Sequence, residues 1–267
     1  SKSRLYLLEN TAQGTRLVAD YYISVGKAGI GKYVEGDLKT PLGVYYLTNP
    51  IDPKTLAPLY GGGALPINYP NPFDMRLGRT GSGIWLHGSP PDRYARQPKS
   101  SDGCVVLANP DLRKLMETVA VKTTPVIIAS QLTWVNPSSL AAERKQFESA
   151  LNAWREAKIN AQLNTESDAA AAKRLYSFYM GDFNNYGRSL KDWWPSVTED
   201  LQRARNKARK PYTWQATTLL LWRPEPGSKA PVNVMVVTFD EYNPNVKAPS
   251  TKRQYWMQTG TGANAVW

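Results

Sequence analysis

The chain contains a single cysteine and a single histidine among its 267 residues. One cysteine excludes an internal disulfide, and the two residues together are too few for a structural zinc site or a histidine-built metal centre. No apolar run approaches the roughly 18 residues that a membrane-spanning helix needs. The chain begins at Ser1 without a charged and then apolar leader, so we expect any export signal to have been removed.

Negative charge is also scarce, because 33 lysines and arginines face 22 acidic residues and leave a net charge of +11. Residues 1–135 carry 15 basic and 10 acidic side chains, and residues 136–267 carry 18 and 12, so the excess is not a basic tail. The densest basic segment contains Arg203, Arg205, Lys207, Arg209 and Lys210. This basic segment could bind nucleic acid, an anionic membrane or an acidic polymer. The favoured interpretation is a solvent-exposed helix face. No nucleic-acid recognition motif accompanies it, so we expect no nucleic-acid partner.

The first part of the chain, residues 1–135, is predicted to be a mainly β domain. It is rich in glycine, proline and short runs typical of strands, and turn residues separate these runs. The predicted strands are Arg4–Leu8, Arg16–Val25, Gly43–Leu47, Ile84–His87 and Pro125–Ala129. One helix is predicted, with Asn109 as its N-cap and Pro110 at its first helical position.

The second part, residues 136–267, is predicted to be an α+β domain with helices on one face of a curved antiparallel sheet. Apolar residues from Phe147 to Ala157 recur at helical spacing, and further helices are predicted around Ala169–Tyr179 and Val197–Ala208. Three strand-like segments follow, at Thr213–Arg223, Val232–Tyr242 and Thr251–Met257.

The two residues with the most distinctive chemistry lie close together in the sequence. His87 ends a short apolar strand, and Cys104 follows Ser101-Asp102-Gly103 and opens another apolar run. Functional groups tend to lie on loops that strands hold in place. A lone cysteine is most often a small buried apolar residue, and a lone histidine is usually structural. The polar turn beside each residue makes catalysis the better interpretation.

Such a pair would act as a nucleophile and a general base. A free thiol has a pKa near ~8.5, so an imidazole must take its proton and later return it to a leaving amine. The backbone carbonyl of Gly88 is suited to orient His87 by accepting its other N–H. Gly103 tolerates a positive φ, which would turn the amides of Gly103 and Cys104 toward a developing oxyanion.

The residues around this pair resemble the L,D-transpeptidase catalytic domain, the YkuD-like family. The pattern His87-Gly88, twelve residues, then Ser101-Asp102-Gly103-Cys104 is similar to its signature. Two further segments resemble the family upstream. They are Gly36-Asp37 with Lys39-Thr40-Pro41-Leu42-Gly43-Val44-Tyr45, and Leu65-Pro66-Ile67-Asn68-Tyr69-Pro70 with Arg79 and Gly83-Ile84. The resemblance covers about residues 4–130.

This resemblance implies a β-sandwich-like domain, without metal or organic cofactor, that acts on peptidoglycan tetrapeptide stems. Cys104 would be the nucleophile, His87 the base and the Gly88 carbonyl the orienting group. The thiol would attack the carbonyl of meso-diaminopimelate, expel the terminal D-alanine and form a thioester. An amine acceptor then gives a cross-link, and water gives a tripeptide. Gly103 is expected at the oxyanion, and the expected substrate-binding residues are Ser101, Asp102, Tyr69 and Arg79.

Two positions depart from the family pattern. Many members have an arginine two residues after the cysteine, where this chain has Val106. Many also have a second histidine where this chain has Asp102. Asp102 would orient a substrate ammonium or cap the turn, and the turn is favoured. The two differences leave the acyl acceptor open, with transpeptidase and carboxypeptidase activity almost equally supported.

The second part resembles a nuclear transport factor 2-like domain, as in the L,D-carboxypeptidases that set cell shape in some bacteria. The residues that carry this resemblance are Ala153-Trp154, Tyr176, Phe178-Tyr179, Asp182-Phe183 and Trp193. Its aromatic residues are interpreted as core rather than as a ligand platform. A pocket in this domain for a glycan strand or a partner protein is left open.

The leading hypothesis is therefore a peptidoglycan-modifying cysteine acyltransferase of the bacterial periplasm or cell envelope. The basic surface favours it, because the cell wall carries carboxylates. The alternative is a non-catalytic peptidoglycan-binding module that keeps the groove with an unreactive Cys104. Thiol reactivity separates the two, because an inert buried cysteine resists alkylation and an activated one reacts below neutral pH.

Overall fold

The computed structural model describes residues 3–12, 14–163, 168–208, 210–225, 232–244, 246–260 and 265–267. The chain divides into two compact units, Ser1–Leu132 and Thr133–Trp267. Of the basic segment noted in the sequence, Arg209 lies outside the described residues. No helix within the described ranges combines the length and the apolar character that a membrane crossing requires.

The first unit is mainly β, as the sequence predicts. Its strands are β1 (Arg4–Thr11), β2 (Gly14–Tyr22), β3 (Val25–Gly26), β4 (Gly43–Tyr46), β5 (Ala64–Pro66), β6 (Trp85–His87), β7 (Lys99–Ser101), β8 (Val105–Val106) and β9 (Pro125–Ile128). Its helices are α1 (Pro72–Arg76) and α2 (Asn109–Thr118). The strands form small sheets: β1 with β2, β4 with β9, β3 with β7, and the three-stranded set β5-β6-β8.

The three-stranded sheet positions the candidate site. Its central strand β6 pairs antiparallel with β5 and parallel with β8. Leu86 on β6 and Leu107, just after β8, belong to the buried core of the unit, which also includes Tyr45, Leu65 and Leu112. Because alternate residues of a strand face opposite sides, burying Leu86 in this core directs Trp85 and His87 to the other face.

The second unit is α+β, again as predicted. Its helices are α3 (Ala141–Leu163), α4 (Asp168–Tyr176) and α5 (Leu190–Ala208), and its strands are β10 (Asn184–Asn185), β11 (Arg188–Ser189), β12 (Thr213–Trp222), β13 (Val234–Tyr242) and β14 (Ser250–Met257). Strands β12, β13 and β14 form an antiparallel sheet with β13 in the centre. The nuclear transport factor 2-like assignment of this unit stays a prediction.

Helix α5 begins earlier than the sequence indicates. The predicted start near Val197 lies just beyond Pro195, yet the helix begins at Leu190 and contains Pro195. Pro195 is the sixth residue of this helix, beyond the first four N–H groups, so it removes one intrahelical bond, the one to the Lys191 carbonyl. Trp194 and Val197 both pack against the apolar core of the unit, and this burial favours continuing the helix through the proline.

Lys158 and Glu241 form a buried ion pair in the second unit. Lys158 on α3 donates to Glu241 on β13 over 2.5 Å, and both side chains are largely buried. The indole N–H of Trp214 also donates to Glu241, over 3.0 Å. The Lys158 ammonium lies 4.5 Å from the ring centroid of Tyr212 and 5.4 Å from that of Trp154. Burial lowers the pKa of Lys158, and the Glu241 carboxylate opposes this shift.

Candidate active site

His87 ends β6 and is held in one orientation by its neighbours. Its Nδ1 lies 2.7 Å from the carbonyl oxygen of Gly88, so the hydrogen bond places the proton on Nδ1 when the ring is neutral. The ring of Tyr60 packs edge-on against it, with 5.0 Å between centroids. Only 3% of His87 is exposed. Nε2 is thus the nitrogen left to accept a proton, as a general base requires.

The strand register brings Cys104 to the same face as His87. In the parallel pairing, Leu86 lies beside Val105 and His87 beside Val106. Cys104 directly precedes β8, and extending the register by one residue places it on the face that carries Val106 and His87. The two backbones are separated by one strand spacing, about 4.8 Å, and by two residues along the strand, about 6.6 Å. The nucleophile–base pair inferred from the sequence thus lies on one face of β6 and β8.

Burial sets the protonation states of this pair. The pKa of His87 is lowered to about 4, chiefly by burial and also by the positive charge of Arg96, while the Gly88 carbonyl opposes both. Burial raises the pKa of the Cys104 thiol; the Trp85 backbone N–H and the Arg96 charge act against this rise. The sulfur also contacts the carbonyl oxygen of Gly83 at 3.4 Å. At neutral pH the resting pair is a thiol beside a neutral imidazole.

Two buried hydroxyls hold the backbone around Cys104. Thr40 accepts from the Gly26 N–H and donates to the Gly103 carbonyl, both over 2.9 Å. Ser101 accepts from the Gly103 N–H over 3.2 Å and donates to the Cys104 carbonyl over 2.6 Å. The Gly103 amide expected at the oxyanion therefore already donates to Ser101, which leaves the Cys104 N–H as the amide that the turn can offer.

Gly103 itself fits the conformational expectation. Its φ is +134°, and an added Cβ would lie 2.9 Å from the carbonyl oxygen of Lys39. A side chain at this position would therefore be strained and would also push the Thr40 segment away. The buried hydroxyl of Ser101 bonds to Gly103 and Cys104 within the turn, and the Lys27 N–H donates to the Ser101 carbonyl over 2.7 Å. These contacts support a backbone-holding function rather than the expected substrate contact.

Asn109 binds the segment behind His87. It is not the N-cap that the sequence predicts, because α2 begins at Asn109 and Ala108 is the capping residue without a side-chain bond. Its Oδ1 instead accepts from the Gly62 N–H, and its Nδ2 donates to the Ser89 carbonyl, both over 2.9 Å. A Cβ on Gly88 would lie only 2.0 Å from this Oδ1. Asn109 thus requires glycine beside His87.

The remaining predicted binding residues lie in two different environments. Asp102 is exposed and pairs with Lys27 over 2.7 Å. Tyr69 is buried and donates to the Thr80 carbonyl over 3.1 Å. Arg79 pairs with the buried Asp74 over 2.6 Å. These contacts give Tyr69 and Arg79 structural functions, and their expected contact with substrate stays a prediction that the geometry does not support.

Sequence reasoning missed Thr40, Asn109 and Arg96. Thr40 stood inside a quoted motif but without a function, and Asn109 was assigned to the helix end.

Among the described residues, no three His, Cys, Asp or Glu side chains are grouped so that they would hold a metal ion. The groups that this site offers for chemistry are a thiol, an imidazole and backbone amides.

Comparison with known proteins gives a domain match and a shared fold. Residues 1–128 match the family model of the L,D-transpeptidase catalytic domain, YkuD. The chain is similar to the structure of Bd1075 from Bdellovibrio bacteriovorus, with 24% identity and a TM-score of 0.65 over 99% of this chain and 86% of that one. It is also similar to the helical cell shape determining protein Pgp2 from Campylobacter jejuni, with 23% identity and a TM-score of 0.65 over 96% and 84%. Comparison with curated proteins gave no match.

Proposed function

We propose that this chain is a cysteine acyltransferase of peptidoglycan stem peptides, because residues 1–128 match the family model of the L,D-transpeptidase catalytic domain. The bond cleaved joins meso-diaminopimelate to the terminal D-alanine of a tetrapeptide. The observation that carries the proposal is the common face of His87 and Cys104, set by the pairing of β6 with β8. A nucleophile and a base on one face, with the base oriented by a third group, form the arrangement that thiol acyl transfer requires.

The proposed reaction begins with the neutral pair. Nε2 of His87 accepts the thiol proton as Sγ attacks the carbonyl carbon of diaminopimelate, and the negative charge moves to the carbonyl oxygen. The Cys104 N–H stabilises this oxyanion. The C–N bond then breaks, and the imidazolium returns its proton to the nitrogen of the departing D-alanine. The product is a thioester on Cys104, and no charged thiolate is needed in the resting state.

Water or an amine resolves the thioester. Water, deprotonated by His87, gives a tripeptide and restores the thiol, and an amine of a second stem or of a D-amino acid gives a transferred product. Val106 stands where many family members have an arginine, and it is buried beside His87. Its apolar side chain offers no charge to a second stem, which supports water as the acceptor. The arrangement of two units, which resembles that of the cell-shape L,D-carboxypeptidases, supports the same acceptor.

The location and the second domain belong to the same proposal. A substrate in the cell wall requires an enzyme in the periplasm or the cell envelope. The second unit would then bind the glycan strand or a protein partner and direct the catalytic domain along the wall. In this unit the rings of Trp154 and Phe239 pack against each other in the buried core, so any binding surface is formed by other residues.

The test uses purified tetrapeptide muropeptides incubated with the protein, with and without a free D-amino acid, and mass spectrometry of the products. Loss of one alanine with addition of water would identify a carboxypeptidase, and an exchanged or cross-linked product a transpeptidase. Cys104→Ala should abolish both while it leaves thermal unfolding unchanged. A Cys104→Ala protein that still processes tetrapeptide would refute the mechanism. If the wild type forms no thiol-dependent product but binds muropeptides, the non-catalytic module is the correct function.

A further inference from the structure

The segment between His87 and Cys104 carries one arginine that differs from its neighbours. Residues 91–95 and 97–99 are exposed, whereas Arg96 is half-buried. The backbone is anchored here, because the Tyr22 hydroxyl donates to the Arg96 carbonyl over 2.8 Å and the Val25 N–H donates to the Pro98 carbonyl over 2.9 Å. The position of Arg96 is thus fixed by the β2–β3 region.

The side chain of Arg96 extends toward the catalytic pair. Its Nη2 donates to the carbonyl oxygen of Leu59 over 3.4 Å. The next residue, Tyr60, packs its ring against His87 at 5.0 Å and against Trp85 at 4.9 Å between centroids. The guanidinium therefore lies beside the Leu59–Tyr60 segment that packs against His87. Its charge acts on both His87 and Cys104.

Arg96 also lacks the partner that other arginines nearby possess. Within the described ranges, no carboxylate lies within ion-pair distance of Arg96, whereas Arg93 in the same segment pairs with Asp92 at 3.7 Å and Arg79 pairs with Asp74 at 2.6 Å. A guanidinium has five N–H donors and binds a carboxylate with two parallel bonds. One carbonyl contact leaves most of these donors to a ligand.

We propose that Arg96 binds the C-terminal carboxylate of the stem peptide and so selects peptides that end one residue beyond the attacked carbonyl. This inference rests on the proposed function, because it names the substrate group recognised at the same site. The terminal carboxylate lies one residue past the scissile carbonyl, about 3.8 Å between Cα atoms. It must therefore lie close to Sγ, where the charge of Arg96 acts. The side-chain carboxylate of diaminopimelate is the other source of the same chemistry.

The kinetic test compares three peptides: the tetrapeptide, its C-terminal amide, and the tetrapeptide amidated on the diaminopimelate side chain. We expect the wild type to prefer the free terminal acid over its amide by roughly 10- to 100-fold in kcat/KM, the range of a charged hydrogen bond. Arg96→Gln should raise KM for the acid and reduce this preference to near one. Arg93→Gln, in the same segment, should keep it. A preference that follows diaminopimelate amidation instead would overturn the assignment.

A second readout does not depend on turnover. Iodoacetate carries a carboxylate and iodoacetamide does not, and both alkylate the same thiolate, so the ratio of their rates reports the charge beside Cys104. Arg96→Gln should lower this ratio several-fold, and Arg93→Gln should leave it unchanged. An unchanged ratio in Arg96→Gln would overturn the inference even if tetrapeptide cleavage is normal. If the wild type cleaves no peptide, the proposed function fails, and the alkylation ratio still decides whether Arg96 attracts a carboxylate to the thiol.

Discussion

The hydroxyl of Thr40 donates to the carbonyl oxygen of Gly103, 63 residues further along the chain, over 2.9 Å. The carbonyl and the N–H of one trans peptide point in opposite directions. A bond that fixes the Gly103 carbonyl therefore also fixes the direction of the Cys104 N–H. Thr40 is fully buried and accepts from the Gly26 N–H, so its own orientation is determined as well. The amide proposed to stabilise the oxyanion is positioned by a residue distant in sequence.

Replacing Thr40 by valine keeps the shape of the side chain and removes the hydroxyl. The Gly26 N–H and the Gly103 carbonyl then lose their partner, and each unpaired buried group costs about 1–3 kcal/mol. We expect a lower free energy of unfolding, measured with denaturant, and a lower kcat with little change in KM. Thr40→Ser should restore both. A Thr40→Val protein with normal kcat would exclude the positioning function.

The pH dependence follows from the lowered pKa of His87. Unfolding frees the imidazole to bind a proton near pH 6.5, whereas the folded protein binds it only near pH 4. The unfolded state therefore binds more protons in this interval, and stability falls as the pH falls from about 6.5 to about 4. His87→Gln should flatten this part of the curve of unfolding temperature against pH. If the curves of the wild type and of His87→Gln run parallel, folding does not lower the pKa of His87, and the argument from burial is wrong.

The same shift predicts the kinetics. The acidic limb of kcat/KM should lie near pH 4 instead of near the ordinary histidine pKa of about 6.5, because protonation of His87 removes the base. Alkylation of Cys104 by iodoacetamide should rise with pH through the alkaline range, since burial raises the pKa of the thiol. This outcome differs from reaction below neutral pH, which the sequence alone suggests for an activated cysteine. A rate already maximal at pH 6 would indicate a resting thiolate–imidazolium pair.

The space around Gly88 gives a third prediction. An added Cβ would lie 2.0 Å from Oδ1 of Asn109 and 3.0 Å from the Gly62 nitrogen. Gly88→Ala should lower the free energy of unfolding by about 1–3 kcal/mol, as overpacking does. It should also lower kcat, because the Gly88 carbonyl orients His87. Gly181→Ala is the matched control, since a Cβ there meets nothing within 4 Å. Equal effects of the two changes would contradict the steric argument.

The buried ion pair of Lys158 and Glu241 in the second unit gives another prediction. Glu241→Gln keeps an acceptor for Trp214 but leaves the Lys158 ammonium without an anion among aromatic rings. Removing one partner of a buried pair costs about 3–5 kcal/mol. Lys158→Met combined with Glu241→Gln should recover much of this loss, because no unpaired charge remains. Thermal unfolding of the wild type and of these two variants measures the difference. A double variant as unstable as Glu241→Gln would show that the unpaired charge is not the cause.

Local pattern predicts the fold well and the site in part. Apolar segments predicted strands such as β4, β6 and β13 within a few residues, because most residues of these three strands are buried. His87 and Cys104 stood out because each occurs once. Thr40 and Asn109 could not be predicted in the same way. Their functions depend on which backbone groups the fold brings to them from distant positions, and a polar residue at a helix start is read first as a cap.

The parallel pairing of β6 with β8 has a consequence for how such a site changes over time. His87 ends β6 and Cys104 directly precedes β8, and the segment between them includes the exposed residues 91–95. Insertions or substitutions among these exposed residues therefore leave the spacing of His87 and Cys104 unaltered. A new peptide preference can arise there while the bond-breaking step is inherited intact.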